Sequence, residues 1–92
     1  MTISASDHVQ LWLVGLPPDS KKRVRQALRD LQRGRGDIQA LRNELAGFNR
    51  LRIGGMRIVY SQHPGRIIRL EYADVRDVVY ENFLEVLTRR RT

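Results

Sequence analysis

The sequence predicts an α+β fold: an N-terminal helical hairpin packed on an antiparallel β-sheet of three to four strands, followed by a C-terminal helix. Three observations carry this reading. Apolar residues recur at helical spacing on both sides of a Pro17-Pro18 break. From about Leu45 to Tyr72 the pattern becomes strand-like and is punctuated by Gly54-Gly55 and Pro64-Gly65. After Asp74 the helical spacing returns. Helices packed on one face of an antiparallel sheet follow from that order.

Ser6 or Asp7 can cap a first helix whose apolar positions are Val9, Trp12, Leu13 and Leu16, at i, i+3, i+4 and i+7. Residues 1–5 leave room for a short edge strand, with Thr2-Ile3-Ser4 too short to insist on. Pro17-Pro18 stops the helix, because proline disfavours the helical conformation in the residue before it. Asp19 or Ser20 starts a second helix with Val24, Ala27, Leu28 and Leu31 on one face, and Gly34 and Gly36 end it. Residues 37–45 fit either a short helix or an irregular link. Strands are placed near 46–53, 56–62 and 66–72 as a meander. His63-Pro64-Gly65-Arg66 joins the last two, with proline setting φ at the second position and glycine permitting positive φ at the third. Asp74 is the expected cap of a closing helix with Val75, Val78, Val79, Leu84 and Leu87 as its apolar residues. The basic Arg89-Arg90-Arg91 complements that helix's C-terminal dipole. Leu51, Ile58, Val59, Ile68 and Leu70 should supply the buried sheet surface, faced by Trp12, Leu13, Val24, Leu28 and Leu31.

Ninety-two residues make one small domain, 1–92, with a single core. There is no cysteine, so disulfides, thiolate metal sites and cysteine nucleophiles are excluded. No metal-ligand cluster, Gly-rich phosphate loop or nucleotide fingerprint is present, and no cofactor or metal is expected. No stretch approaches a membrane span, and the chain reads as cytoplasmic. Net charge is +7 and clustered: residues 21–35 hold seven Lys or Arg against one Asp, whereas 73–88 hold four acids and one Arg. Such clustering predicts an anionic partner, a nucleic acid or an acidic protein segment.

The chemistry concentrates in Arg50-Leu51-Arg52-Ile53-Gly54-Gly55-Met56-Arg57-Ile58-Val59-Tyr60. Strand alternation sends Leu51 and Ile53 into a core and Arg50 and Arg52 to the other face. The glycine pair suits a tight hairpin that returns Arg57 to the same neighbourhood. Three guanidiniums on adjacent strands repel one another and suit a phosphate-rich ligand. Arg76 and Tyr80 join them if 74–87 is helical, since residues four apart share a helix face. RNA cleavage by the internal 2′-hydroxyl needs a proton acceptor, positive charge on the developing phosphorane and a proton for the leaving 5′ oxygen. Arginines can supply the second. Tyr80 can supply the first only if cations lower its pKa from about 10. His8 opens a helix and His63 sits in a turn, where cap and turn roles outweigh catalysis. Trp12 belongs to the core, and Tyr72 is structural.

The segment Leu45–Tyr60, followed by Val75-Arg76-Asp77-Val78-Val79-Tyr80, resembles the RelE/ParE toxin superfamily. That family's pattern is an Arg-Leu-Arg strand, a glycine turn, an Arg followed by two apolar residues and Tyr, then an Arg ahead of a closing Tyr. The resemblance covers roughly residues 8–83. It implies the toxin of a type II toxin–antitoxin system, neutralised by a cognate antitoxin with an acidic or amphipathic segment. RelE-like members are ribosome-dependent mRNA endonucleases, with mRNA and ribosome as partners; ParE-like members instead inhibit DNA gyrase. Carried over by position, the resemblance implies Arg57, Tyr80 and Arg52 as catalytic residues. It implies Arg50, Arg52 and Arg76 as RNA-binding residues, with Lys21, Lys22 and Arg25 of the basic second helix along ribosomal RNA. Two positions depart from the nuclease pattern: Val75 stands where many members have histidine, and Asp74 where some have a further base.

Overall fold

Strand alternation around the two predicted turns builds the centre of the molecule. A computed structural model describes residues 1–90. The elements are β1 (Thr2–Ala5), α1 (Asp7–Val14), α2 (Pro18–Gln32), β2 (Asp37–Ala40), a 3₁₀ turn at Asn43–Leu45, β3 (Asn49–Ile53), β4 (Met56–His63), β5 (Ile67–Val75) and α3 (Val78–Arg90). They form one five-stranded sheet in the order β1-β5-β4-β3-β2, with β1 parallel to β5 and every other pair antiparallel. The α+β class holds, with both edge strands added to the expected meander. Residues 37–40 are a strand because they pair with β3, Asp37 opposite Arg52 and Ala40 opposite Asn49. All four are exposed, so no apolar alternation advertised them.

Two turns behave as their residues demand. Gly54 has φ 59°, a value that costs other residues strain, and the Arg23 side chain from α2 occupies the space a Cβ there would need. Gly65 has φ 84° in the Pro64-Gly65 turn. Between β4 and β5 the register slips at Val59/Tyr60: Val59 pairs with Tyr72 and Tyr60 with Leu70, leaving Glu71 as an extra residue. This bulge shifts the alternation by one, so Ile68 and Leu70 before it and Ala73 after it serve the same face.

That face carries the larger core, in which Val9, Val24 and Leu31 of α1 and α2 meet Leu51, Ile53, Met56, Ile58, Tyr60, Ile68, Leu70 and Ala73. Trp12, Leu13 and Leu28 pack against it half-buried, as expected. A fully buried aliphatic side chain of this kind contributes roughly 1.5–3 kcal/mol. The opposite face carries a second core of Leu45, Val59, Val79 and Phe83, flanked by Phe48, Tyr72, Tyr80, Leu84 and Leu87. The placement of all helices on one face is therefore corrected: α3 covers the other. Val59 is wholly buried but belongs to this second core.

Several boundaries also differ. The helix α2 begins at Pro18 rather than at Asp19 or Ser20, because Pro17 takes the N-cap position and proline is well suited to the first helical turn. Ser6 caps α1, its hydroxyl accepting from the Val9 N–H at 3.3 Å and donating to the Glu71 carbonyl at 2.8 Å. β3 starts at Asn49, not 46. Asp74 does not cap α3: it lies in β5, accepting from the Val75 N–H at 2.7 Å and the Asn82 amide at 3.2 Å. α3 starts only at Val78, so Val75 and Val78 are exposed and its apolar stripe is Val79, Phe83 and neighbours. Arg89 pairs with Glu85 in the last turns; Arg91 and the Arg90 side chain lie outside the described residues. Among the described residues no helix is long and apolar enough to cross a membrane.

Candidate functional site

The sheet face that holds α3 is apolar at its middle and cationic at its hairpin end. Alternation puts Arg50 and Arg52 of β3 there, because Leu51 and Ile53 fill the opposite core. Arg57 of β4 sits directly across from Arg52. Two of these arginines are largely buried, each side chain keeping 13% of its surface, while Arg52 keeps 52%. Such like charges need compensation. It comes from two aspartates that the charge count did not single out. Arg50 Nη2 donates to Asp37 Oδ1 at 2.7 Å, and Arg52 Nε lies 3.7 Å from Asp37 Oδ2. Arg57 Nε lies 3.8 Å from Asp77 Oδ1.

The Arg57 guanidinium is anchored by its own turn. Its Nη1 donates to the Gly54 carbonyl at 2.8 Å and the Met56 carbonyl at 3.1 Å. The Nε atoms of both Arg50 and Arg57 are buried without a hydrogen-bond partner. Buried donors are normally paired, so both sites retain capacity for an acceptor.

A cleft of about 570 Å³ opens beside them, lined by Gln39, Leu41, Arg42, Asn43, Arg50, Asp77 and Tyr80 among others. Asn43 holds φ 56° in the 3₁₀ turn that forms one wall. Tyr80, half-buried on the first turn of α3, forms another. The structure therefore brings Arg50 and Tyr80 together, with Arg57 reached through Asp77. Arg76 departs from the expected helix face: it lies before α3 in a turn with φ 57°, its N–H donating to the Gly55 carbonyl at 2.7 Å, and its side chain is exposed outside the cleft lining. Lys21, Lys22 and Arg25 are on α2, across the sheet. Lys21 and Arg25 rim a separate groove with Leu13, Val14, Val24 and Leu28.

Neither histidine enters the cleft. His8 Nε2 contacts the Ala73 carbonyl at 2.8 Å and its ring stacks on Tyr72 at 3.8 Å. His63 Nε2 lies 2.8 Å from Ser61 Oγ, which donates to Glu71 at 2.6 Å. Burial pushes the Tyr60 phenol above its usual pKa. Burial, then the nearby Asp74 and Glu85 carboxylates, do the same for Tyr72. Among the described residues no cluster of His, Cys, Asp or Glu could hold a metal ion.

Sequence reasoning missed Asp37, Asp77, Arg23 and the 39–43 wall of the cleft. Asp77 had a signal, standing within the Arg76…Tyr80 stretch. Asp37 and the wall had none, because 37–45 showed no period.

Solved structures match this architecture. The RelE chain in the toxin–antitoxin complex RelBE2 from Mycobacterium tuberculosis is similar at 25% identity, with a TM-score of 0.60, over 82% of this chain and 96% of that one. The chain has the fold of the RelE-like toxin superfamily. A second RelE-like structure, in the archaeal RelE–RelB complex from Pyrococcus horikoshii OT3, is 22% identical with a TM-score of 0.67, over 83% of this chain and 94% of that one. No family model matches the sequence. No curated protein matches it either. A shared fold does not by itself assign a reaction.

Proposed function

We propose that the chain is the toxin of a type II toxin–antitoxin system, a RelE-like endonuclease that cuts mRNA on the ribosome and so inhibits translation. The observation that supports this reading most is the buried pair of arginines, Arg50 and Arg57, each with a buried Nε that makes no hydrogen bond. They stand beside a cleft walled by Tyr80, on a fold shared with toxins of RelBE complexes. In this role Arg57 grips the scissile phosphate and stabilises charge on the phosphorane, because its guanidinium is already held in place by the hairpin carbonyls. Arg50 and Arg52 contact the flanking backbone after exchanging Asp37 for phosphate. Tyr80 offers a ring for base stacking and a phenol. Internal attack by the 2′-hydroxyl requires no metal in principle. The exposed bases of α2 lie across the sheet and suit contacts to ribosomal RNA rather than to the scissile phosphate.

The structural neighbours are complexes with antitoxins, and a cognate antitoxin carrying an acidic or amphipathic segment is the corresponding partner here. Opposite charge speeds such association at low salt. The test is induction of the chain in a bacterial host with transcripts mapped at codon resolution. Cuts at ribosome-bound codons are expected. DNA breaks and an SOS response without cuts would instead identify a ParE-like inhibitor of DNA gyrase.

A further inference from the structure

Within the endonuclease reading, on which this inference rests, the 2′-hydroxyl needs a group to take its proton. A phenol is a weak proton acceptor near neutral pH. Both histidines are engaged elsewhere, with Ala73 and Tyr72 or with Ser61. The carboxylates can be sorted by what already holds them. Asp37 is committed to Arg50 and Arg52, Asp74 to Val75 and Asn82, Glu71 to Ser61 and Arg69, and Glu85 to Arg89. Glu44 lines a different hollow with Leu84, Leu87 and Thr88.

Among the described residues Asp77 is the carboxylate that lines the cleft with Arg50 and Tyr80, and its position is unusual. It immediately precedes α3, where an aspartate side chain ordinarily accepts a hydrogen bond from the second or third backbone N–H of the helix. Here the described residues show no such bond to its carboxylate. Instead the carboxylate faces Arg57, Oδ1 lying 3.8 Å from Nε, and the residue lines the same cleft as Arg50 and Tyr80. The chain is turned into this position by Arg76, whose φ of 57° and N–H bond to Gly55 tie the start of α3 to the hairpin that holds Arg57. Positive φ at a non-glycine residue is strain that the surrounding structure must sustain, and such positions concentrate at functional sites.

We propose that Asp77 is the general base of the cleavage reaction. A phosphate bound to the Nε side of Arg57 lies beside the Asp77 carboxylate, with the 2′-hydroxyl of the preceding ribose next to that phosphate. The 2′ oxygen forms a bond to phosphorus as its proton passes to the carboxylate. The bond from phosphorus to the 5′ oxygen breaks, and that oxygen takes a proton from the Tyr80 phenol. The products are a 2′,3′-cyclic phosphate and a 5′-hydroxyl end. Solvent then returns a proton to Tyr80 and removes one from Asp77.

The experiment compares wild type, Asp77→Asn and Asp77→Glu on mRNA-programmed ribosomes, measuring single-turnover cleavage. Binding is measured in parallel with an mRNA carrying a 2′-deoxy residue at the scissile position. Asn preserves size and helix-capping ability, so the fold should hold. Asp77→Asn should slow cleavage by about 10²–10⁴, the usual contribution of general acid–base catalysis, while binding the deoxy mRNA at least as tightly as wild type. Asp77→Glu should recover part of the rate. Cleavage by Asp77→Asn within threefold of wild type overturns the assignment. So does a parallel loss of binding and rate, which marks Asp77 as structural. A wild-type chain that binds but does not cut overturns the endonuclease reading itself, and the inference with it.

Discussion

The two faces of the sheet solve different problems with the same strands. Under α1 and α2 the face is continuous and apolar: Leu51, Ile53, Met56, Ile58, Tyr60, Ile68, Leu70 and Ala73 are all buried there. Under α3 only the middle is closed, by Val59, Val79 and Phe83, with Phe48 and Phe83 in edge-to-face contact at 5.0 Å. Beyond that patch the face carries Arg50, Arg52 and Arg57, balanced by Asp37 and Asp77. One face spends its side chains on cohesion. The other keeps two buried guanidinium Nε atoms without a hydrogen bond, which costs stability in a packed core. Strand parity thus separates the apolar core from the cationic surface, residue by residue along β3 and β4.

Substitutions can break that separation. Ile58→Ala on the closed face should cost about 2–5 kcal/mol of unfolding free energy, enough to threaten folding of a chain this size, by denaturant titration. Arg57→Ala, one position away, should leave the denaturation midpoint nearly unchanged and reduce cleavage by about 10²–10³. Equal stability losses at the two positions would erase the distinction. Gly54→Ala should destabilise by roughly 1 kcal/mol or more, from positive φ and from displacement of Arg23. The double substitution with Arg23→Ala should relieve the crowding but not the φ term.

Titration also distinguishes the two faces, because Tyr60 lies in one core and Tyr72 beside the other. Both phenols have folded-state pKa values raised above the ordinary 10.0. A raised pKa means the folded state holds the proton more tightly, so the contribution is full below pH 10 and is lost as pH climbs past it. Tyr60→Phe should flatten the alkaline fall of stability, measured by thermal melts between pH 9 and 12. Asp37→Asn should have the smallest effect, freeing Arg50 and Arg52 and raising affinity for single-stranded RNA a few-fold at low salt, as read by fluorescence anisotropy.

The legibility of the two faces in the sequence differs for the same reason. Leu51, Ile58 and Leu70 declared the closed face through period-two alternation, and Val24, Leu28 and Leu31 declared the helix over it. The Glu71 bulge was invisible, because one extra residue leaves no compositional trace, yet it decides that Ala73 faces inward. The edge strand at Asp37–Ala40 was illegible because pairing alone, without burial, makes it a strand. Arg50, Arg52, Arg57 and Tyr80 stood out by spacing and by resemblance. Their carboxylate partners were less legible: Asp37 had no signal and meets Arg50 and Arg52 only through strand register, while Asp77, though inside the Arg76…Tyr80 stretch, meets Arg57 through a turn at Arg76.

Whether the open, arginine-bearing face is the proposed nuclease site is decided by its products. The most direct measurement is a purified translation system programmed with a single mRNA, to which wild-type protein or Arg57→Ala is added and the transcript ends are mapped. Wild type should give cuts at ribosome-bound codons with ends bearing a 2′,3′-cyclic phosphate, and a folded Arg57→Ala should lose those cuts. Intact mRNA in the presence of wild-type protein that still arrests growth in cells would contradict the nuclease reading.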